Sequence, residues 1–390
     1  MAEKLRVGVI FGGQSGEHEV SLVSAQGIMQ AMDKEKYEII PIGITKEGRW
    51  LTSGEPMKLL QSPSSALPAS GADERTGGEW AEPGTRELVP RDTCTEPSRS
   101  RRDLVPGTRE TGFPQVDVVF PVLHGPYGED GTVQGLLELA DIPYVGAGVL
   151  GSALGMDKIA MKGIFRSYGL PVVEHLGLKR KDWERDPEAM MELIEKKLGY
   201  PCFIKPANLG SSVGISKIHE RSELAPALDL AARYDRRMLA ERAVNAREIE
   251  CSVLGNDEPI ASVPGEIVPC REFYDYIAKY IDDRSELIIP ADLSPELTRR
   301  IQELAIAAFL AVDCAGMARV DFLLDRDTGE LYVGELNTIP GFTPISMYPK
   351  LWEASGIPYS ELIDRLIELA LERHADNSRS ETSYSPEQFE

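Results

Sequence analysis

The chain has 390 residues, of which 42% are hydrophobic and 27% charged, a composition typical of a globular protein with room for two or three domains. Its formal net charge of −21 argues against nucleic acid or an anionic membrane as the main partner, so an anionic substrate would need a locally basic pocket. Five cysteines without CxxC spacing, and no apolar run near ~18 residues, favour a cytoplasmic protein with free thiols and no membrane partner.

The N-terminal part alternates buried-strand candidates with helical patterns. The strand candidates are three apolar runs, Leu5–Gly12, Tyr37–Ile44 and Val116–Leu123. Such alternation favours a parallel sheet, and we predict an α/β domain over residues 1–150. A helix capped by Ser15 is predicted after the first strand.

Two polar residues follow predicted strands of this domain. Glu17 stands at the start of the first helix, where a carboxylate either complements the helix dipole or belongs to a site. His124 ends the strand VVFPVLHG, and ligands bind at the carboxyl ends of parallel strands, although a satisfied loop histidine is an equal alternative. Both are therefore candidate site residues.

Two segments lack the pattern of a folded element. Residues 61–112 contain six prolines and one aromatic residue, Trp80, among many Ser, Gly, Arg and Glu residues. Such a composition cannot build a core, so we expect a disordered surface insertion there, and a disordered tail over 375–390. Neither contains a motif with recognisable chemistry.

The segment KPANLGSSVGISK, residues 205–217, places a lysine before a loop rich in glycine and serine. Glycines allow backbone N–H groups to approach an anion and serine hydroxyls add donors, so this loop suits a phosphate. It is not a P-loop, in which the lysine follows the glycines and a helix begins. The pattern predicts a strand–loop–strand flap. A Gly-x-Gly-x-x-Gly match at 146–151 lacks the context of a dinucleotide site and is read as a glycine-rich turn before Lys158.

The segment ARVDFLLDRDTGELYVGELNT, residues 318–338, predicts a β-hairpin around a turn at 325–329. Strand alternation places Arg319 with Asp321 on one face, and Glu335 with Asn337 on one face. If the two faces coincide, two carboxylates and an amide oxygen converge beside a guanidinium, which is a donor set for Mg²⁺. The alternative is a solvated hairpin. The aromatic stretch REFYDYIAKYIDD, residues 271–283, is either a lid or a packing element.

Seven segments together resemble one family, the D-alanine–D-alanine ligases of the ATP-grasp enzymes. They occur in the family's order and are GGQSGEHEVSLVS, FPVLHGPYGEDGTVQG, GSALGMDK, FIKPANLGSSVGISK, FYDYIAKY, GMARVDFLL and ELNTIPGFTPISMYP. The resemblance covers about 5–53 and 114–373. It implies an ATP-grasp fold, α/β and α+β, with three domains: the N-terminal parallel-sheet domain, a central subdomain over 151–242 and a C-terminal subdomain over 243–374 that carries the metal site.

The resemblance also implies the nucleotide site, in which ATP, a co-substrate, lies under the flap. The residues that match phosphate-binding and flap positions are Lys158, Lys205, Gly210, Ser211 and Ser212. Those that match adenine- and ribose-binding positions are Glu241, Arg242, Val244 and Glu248, with Lys279 on the lid. Many members carry lysine where Arg242 stands, so this position is expected to act through its backbone. Asp321, Glu335 and Asn337 match the ligands of two Mg²⁺ ions, for which Mn²⁺ can substitute.

The substrate residues are implied in the same way. Glu17 matches the residue that holds the ammonium of the first D-alanine, with His124 nearby, and Ser346 and Met347 match the site for the second carboxylate. Arg319 and the N–H of Gly341 match the pair that stabilises the oxyanion. Glu17, Ser211 and Tyr280 match a hydrogen-bonded triad that closes the lid and thereby excludes water.

The implied activity is the ATP-dependent ligation of two D-alanine molecules through D-alanyl phosphate, with release of ADP and phosphate. This reaction serves peptidoglycan precursor synthesis, cell wall biogenesis and cell shape. A D-alanine–D-lactate ligase remains the alternative within the fold, and such enzymes generally lack the tyrosine of FYDYIAKY. A non-catalytic nucleotide-binding regulator is the other alternative, but it would be expected to lose the metal ligands. Family members are usually homodimers, and no nucleic-acid partner is expected.

Overall fold

The computed structural model of the protein describes residues 4–61, 114–210, 213–268, 286–343 and 345–381. The predicted insertion lies outside these residues except for Gln61, which ends a helix. The part of the predicted tail beyond residue 381 also lies outside them. The described chain forms one partly parallel sheet and two antiparallel sheets. None of its helices is both long and apolar enough to cross a membrane.

The first sheet lies in the N-terminal part of the chain and has the strand order β3-β2-β1-β4. Its strands are Leu5–Gly12 (β1), Tyr37–Ile44 (β2), Trp50–Leu51 (β3) and Val118–Val122 (β4). β1 runs parallel to both β2 and β4, which confirms the predicted parallel sheet, while the short β3 is antiparallel to β2. The carboxyl ends of β1 and β4 therefore open at the same edge.

The helices of this part lie His18–Ala31 (α1), Pro56–Gln61 (α2), Thr132–Leu139 (α3), Val149–Met156 (α4) and Lys158–Ser167 (α5). The predicted cap of α1 was wrong. The helix begins at His18 with Glu17 as its N-cap, and the Ser15 hydroxyl accepts instead from the backbone N–H of Glu17 at 3.2 Å. Glu17 is consequently held at the turn that leads from β1 into the helix.

The second sheet is antiparallel with the order β5-β8-β6-β7. Its strands are His175–Lys179 (β5), Cys202–Pro206 (β6), Ser216–Ile218 (β7) and Arg237–Arg242 (β8). Helices Arg180–Arg185 (α6), Pro187–Lys197 (α7) and Leu224–Tyr234 (α8) accompany it. β6 and β7 pair as an antiparallel unit around the glycine- and serine-rich loop, as the sequence predicts.

The third sheet has six strands, with β12-β11-β9-β13-β14 in order and β10 paired to β9. The strands are Ala246–Gly255 (β9), Ile260–Ala261 (β10), Gly265–Val268 (β11), Glu286–Ile288 (β12), Gly316–Asp325 (β13) and Leu331–Asn337 (β14). Helix Pro295–Ala311 (α9) packs against it, and its apolar side chains share one core with the sheet. β10 and β11 are separated by a segment that contains Pro264, which has no N–H to donate to a ladder.

Two helices complete the chain, Met347–Ala354 (α10) and Tyr359–Asn377 (α11). α11 ends at Asn377, so the first three residues of the expected tail are helical. Its apolar face, including Leu362 and Leu366, is buried in the same core as Val7 and Phe120 of the N-terminal sheet. The last helix therefore holds the first sheet against the third.

Candidate functional site

The polar residues of the site lie where the three sheets face one another. Glu17 follows β1 and His124 follows β4, so the parallel pairing of these strands brings both to one edge of the first sheet. The Oε2 atom of Glu17 lies 3.3 Å from the position that a Cβ on Gly125 would occupy. Glu17 and His124 are therefore neighbours, and the charge of Glu17 acts on the pKa of His124.

One ring nitrogen of His124 has no hydrogen-bond partner among the described residues. His124 is 5% exposed, and its Nδ1 donates to the carbonyl oxygen of Ile339 at 3.1 Å, because a carbonyl oxygen can only accept. Burial lowers the pKa of His124, partly opposed by the charge of Glu17. Nε2 is buried with no hydrogen-bond partner among the described residues. The imidazole is thus a neutral acceptor, and the described residues supply no donor to its Nε2.

Glu129, five residues after His124, is not among the predicted site residues. Its carboxylate accepts from the N–H of Gly125 at 2.6 Å and from the N–H of Ile339 at 3.3 Å, so it joins the loop after β4 to the segment after β14. Burial, reinforced by the charge of Glu17, raises the pKa of Glu129 to about 8. The only sequence signal for Glu129 is its position in the segment GPYGED, directly after the predicted strand that ends at His124.

The flap meets the site from the second sheet. Nζ of Lys158, at the start of α5, donates to the carbonyl oxygen of Leu209 at 2.8 Å and lies 3.9 Å from Oε2 of Glu335. A Cβ on Gly210 would stand 3.0 Å from Oε2 of Glu17, so the glycine allows the flap to approach that carboxylate. One lysine therefore connects the flap to the hairpin.

The hairpin β13–β14 confirms that the two predicted faces coincide. Arg319 pairs across the ladder with Asn337, and Asp321 pairs with Glu335. Arg319 binds Asp321 through two hydrogen bonds, Nε to Oδ1 at 2.7 Å and Nη2 to Oδ2 at 2.8 Å. Asn337 donates to Oδ2 of Asp321 at 3.0 Å. Two carboxylates, an amide and a guanidinium thus converge on one face.

This donor set fits a Mg²⁺ ion that also binds a substrate. Carboxylate and amide oxygens are its preferred protein ligands, and it usually retains positions for water and phosphate. The described residues contain no group of three His, Cys, Asp or Glu placed to hold a metal ion. Asp321, Glu335 and Asn337 would supply two carboxylates and an amide, which leaves several positions for oxygens from elsewhere.

Glu250 is a further residue of the hairpin site that the predictions did not include. It lies on β9 directly opposite Asp321, and its Oε2 is 3.0 Å from Nε of Arg319. Arg319 is therefore held between two carboxylates. Glu248 lies two residues before Glu250, on the same face of β9, opposite Leu323. The alternation of acidic and apolar residues in REIECSV is the signal that could have identified Glu250.

Lys205 and Glu241 form a buried ion pair with an additional lysine. Nζ of Lys205 on β6 lies 2.6 Å from Oε2 of Glu241 on β8, and Nζ of Lys162 on α5 lies 2.5 Å from Oε1. Burial alone would raise the pKa of Glu241, but the two lysines outweigh it and lower the pKa to about 2. Glu241 is thus a carboxylate engaged on both oxygens by protein cations, and Lys162 is not among the predicted site residues.

The neighbouring nucleotide candidates lie at the end of β8 and in the connection to β9. The N–H of Arg242 donates to the carbonyl oxygen of Glu174 at 3.0 Å, and its guanidinium reaches the hydroxyl of Tyr332 at 3.5 Å. Val244 is half-buried in the connection. The side chain of Arg242 therefore points to the hairpin.

The segment after the hairpin brings Gly341 and Ser346 together. A Cβ on Gly341 would lie 2.8 Å from Oγ of Ser346, which accepts from the N–H of Thr343 at 3.0 Å. Ser346 is the N-cap of α10 and Met347 its first residue, which is buried. The hydroxyl of Thr343, at 2.7 Å from Oγ of Ser346, is an additional polar group here. The N-terminus of a helix beside a hydroxyl pair suits a carboxylate.

Four predicted site residues lie outside the described residues. They are Ser211 and Ser212 of the flap, and Lys279 and Tyr280 of the aromatic stretch. The predicted triad of Glu17, Ser211 and Tyr280 therefore remains a prediction.

Comparison with known proteins agrees with the resemblance carried by the motifs. The family model described as "D-ala D-ala ligase N-terminus" matches residues 6–147, and the model described as "D-ala D-ala ligase C-terminus" matches residues 164–368. A D-alanine–D-alanine ligase of Thermoanaerobacter sp. (strain X514) is 55% identical over 379 residues, which are 97% of this chain and 99% of that protein.

Two solved structures share the fold over nearly the whole chain. The D-alanine–D-alanine ligase of Coxiella burnetii has a TM-score of 0.74 and 36% identity, covering 97% of both chains. The VanG D-Ala:D-Ser ligase of Enterococcus faecalis has a TM-score of 0.76 and 38% identity, covering 94% of this chain and 100% of that one.

Proposed function

Because the chain belongs to the D-alanine–D-alanine ligase family, an ATP-grasp family of ATP-dependent ligases, we propose that its cleft joins two D-alanine molecules through a D-alanyl phosphate. The observation that carries this proposal is that Glu17, Gly210, Lys158 and Glu335 meet in one place although they come from different parts of the chain. An amino-acid site, a phosphate flap and a metal hairpin are thereby adjacent. The product serves peptidoglycan precursor synthesis.

The phosphates of ATP bind under the flap in this proposal. Lys158 and Lys205 contact them from α5 and β6, and Gly210, Ser211 and Ser212 supply flap donors. Asp321, Glu335 and Asn337 would hold Mg²⁺, with two ions as the proposed stoichiometry and Mn²⁺ as a substitute. When bound, the metal neutralises charge on the phosphoryl group during transfer. The lysines add positive charge beside the leaving phosphate.

The base and ribose of ATP are assigned to the end of β8 and its surroundings. Glu241, Arg242, Val244 and Glu248 are the proposed contacts, with Lys279 on the lid. The carboxylate of Glu241 is engaged by two lysines, so Glu241 would contact adenine through its backbone. Arg242 acts in the same way because its guanidinium points to Tyr332.

The first D-alanine binds at the edge of the first sheet. Its ammonium group would donate to the carboxylate of Glu17 and to the bare Nε2 of His124, which gives that buried nitrogen the donor it lacks among the described residues. The carboxylate of this D-alanine then attacks the γ-phosphate of ATP. Glu17 and His124 thus orient a weak nucleophile towards the phosphate flap.

The second D-alanine binds on the side of α10. Its carboxylate would accept from Ser346 and from the N–H of Met347 at the helix N-terminus. Its deprotonated amine attacks the acyl phosphate, and Arg319 and the N–H of Gly341 would stabilise the oxyanion. The ion pairs with Asp321 and Glu250 fix the orientation of the Arg319 guanidinium. Ser211 and Tyr280 would close the lid over this intermediate and exclude water.

We also propose a cytoplasmic homodimer. Helices α3 and α4 pack against each other and expose four large apolar side chains, Leu136, Leu139, Val149 and Leu150. Leu139 is 80% exposed, and α4 has no charged residue. A second copy of this chain can cover such a patch, to which α4 contributes no charge and α3 only Glu138.

The dimer is tested by Leu139→Glu, with Leu193→Glu on exposed α7 as the matched control. Light scattering of the purified chain should give a dimer for the wild type and for Leu193→Glu, and a monomer for Leu139→Glu. A monomeric wild type would overturn the proposal.

The activity is tested by ADP release with D-alanine, L-alanine, D-lactate and D-serine, alone and in pairs, with products identified by mass. D-alanyl-D-alanine should be the main product. D-serine is included because a structural neighbour at 38% identity is a D-Ala:D-Ser ligase. A depsipeptide as the main product would instead favour the D-lactate alternative, and absence of any ligation would favour the non-catalytic regulator.

A further inference from the structure

Helix α5 carries two lysines, Lys158 and Lys162, on the side that faces the flap and the hairpin, and the proposed function uses only the first. Lys158 and Lys162 are four residues apart, so they lie on one face of the helix. Lys158 reaches the flap and Glu335. Lys162 is buried beneath it, with a side chain that is 3% exposed. A buried lysine is costly unless its charge is compensated, so its partners indicate what it does.

The partners of Lys162 are the carboxylate of Glu241 and a bulge of the metal hairpin. Its Nζ lies 2.5 Å from Oε1 of Glu241 and donates to the carbonyl oxygen of Gly334 at 2.8 Å. The ladder pairs Asp321 with Glu335 and Phe322 with Val333, which leaves Gly334 as an extra residue in β14. Lys162 therefore connects the bulge beside Glu335 to the nucleotide side of the cleft.

The carboxylate of Glu241 is shared by two lysines. It is 4% exposed and lies between Lys162 and Lys205, so within this trio the positive charges outnumber the negative one, and the charges of Glu335 and Glu248 also act on Lys205. Of the two lysines, Lys205 is the more accessible, with its side chain 21% exposed against 3% for Lys162. Without Lys162, the pair of Lys205 and Glu241 would be neutral.

We propose that Lys162 is a positioning residue for ATP, which neutralises Glu241 from the buried side and thereby leaves the charge of Lys205 available to the nucleotide phosphates. This inference rests on the proposed function, in which Lys205 contacts those phosphates. Lys162 itself does not touch ATP in this arrangement, since it lies behind Glu241. Its effect on the nucleotide therefore passes through the carboxylate of Glu241.

The proposal is tested by a double-mutant cycle on binding of Mg-ATP, measured by calorimetry without D-alanine. Lys162→Met, which removes the charge and keeps a similar chain length, should weaken ATP binding by about tenfold or more, the effect of losing a charge-assisted interaction. Lys162→Arg should retain most of the affinity. In a Glu241→Gln background, Lys162→Met should have a much smaller effect, because no carboxylate remains to neutralise Lys205.

The control is Lys197→Met on the exposed face of α7 in the same subdomain, which changes the net charge equally and should leave ATP affinity unchanged. In turnover assays, Lys162→Met should raise the KM for ATP and leave the KM for D-alanine near its wild-type value. If Lys162→Met does not fold, the inference is decided by two other comparisons of ATP affinity. These are Lys162→Arg against the wild type and the double variant against Glu241→Gln. The inference would be overturned if the effects of Lys162→Met and Glu241→Gln on ATP binding were additive, or if Lys162→Met bound ATP as tightly as the wild type. A wild type without ligase activity would overturn only the proposed function.

Discussion

A Cβ atom on Gly210 would lie 3.0 Å from Oε2 of Glu17, so the backbone of the flap approaches the first-sheet carboxylate closely. Gly210→Ala should displace either the flap or Glu17, because real Cβ contacts are seldom so close. We expect turnover to fall by about tenfold or more while the fold is retained, since a small misplacement of reacting groups is costly. Steady-state kinetics and thermal unfolding measure the two effects.

The matched control for this change is Gly163→Ala on α5, where a new Cβ would meet nothing within 4 Å. Alanine favours a helix over glycine by about 1 kcal/mol, so Gly163→Ala should stabilise the chain slightly and leave turnover unchanged. Equal turnover in the two variants would show that the contact between Gly210 and Glu17 has no functional role.

Glu335→Gln tests the metal hairpin. The substitution keeps the shape of the side chain and removes the charge that faces Asp321 across the ladder, so turnover should fall by orders of magnitude. The free energy of unfolding should change little because the apolar residues of the hairpin are untouched. Glu330→Gln, on the exposed turn of the same hairpin, is the control and should retain activity. Near wild-type turnover of Glu335→Gln in saturating Mg²⁺ would remove this residue from the site.

Glu129 should give the stability of the chain a pH dependence. Its pKa is raised from 4.5 to about 8 in the folded chain, so the folded state binds this proton more tightly than the unfolded state does. The corresponding stability is fully present below pH 4.5 and is lost as the pH rises through 8. Glu129→Gln should therefore reduce the loss of unfolding free energy between pH 5 and pH 8.

Denaturant unfolding at several pH values measures this difference, with Glu303→Gln on the exposed face of α9 as the control for loss of a carboxylate. The free energy of unfolding of Glu303→Gln should depend on pH in the same way as that of the wild type. If the unfolding free energy of Glu129→Gln also has the wild-type pH dependence, Glu129 does not release its proton between pH 5 and pH 8.

Tyr280→Phe tests the choice of acceptor. The amine of D-alanine must lose a proton before attack, whereas the hydroxyl of D-lactate is neutral, and the proposed triad would hold the lid during that step. We expect Tyr280→Phe to shift product partition towards D-alanyl-D-lactate, most clearly at low pH, where protonation disfavours the amine. The product ratio between pH 6 and pH 9, with both acceptors present, is the measurement. Superimposable ratios in mutant and wild type would exclude control by Tyr280.

Local patterns were sufficient for the strands and for the faces of the hairpin. Leu5–Gly12 and Tyr37–Ile44 have the predicted bounds because continuous apolar runs specify buried strands. The pairing of Asp321 with Glu335 follows from alternation about a short turn. Such patterns also account for the predicted flap between β6 and β7.

The residues that escaped prediction act through contacts distant in sequence. Lys162 meets a bulge more than a hundred residues away, and Glu250 holds Arg319 across two strands. The sequence around Lys162 does not distinguish it from a surface lysine, whereas the alternation of acidic and apolar residues in REIECSV is the one local signal for Glu250. Ser15 failed as a cap because Glu17, two residues later, occupies that position. Resemblance to a family supplied the roles that spacing alone left open.

The burial of α11 against the first sheet has a consequence for synthesis of the chain. Leu362 and Leu366 lie in the same core as Val7 and Phe120, and Asp364 binds both Lys36 at 2.5 Å and the hydroxyl of Tyr37 at 2.8 Å. On the ribosome, the first strands emerge more than three hundred residues before the helix that covers them. The first strands therefore keep an apolar face exposed until α11 has been synthesised, and during this interval the chain is most prone to aggregate and most in need of chaperones.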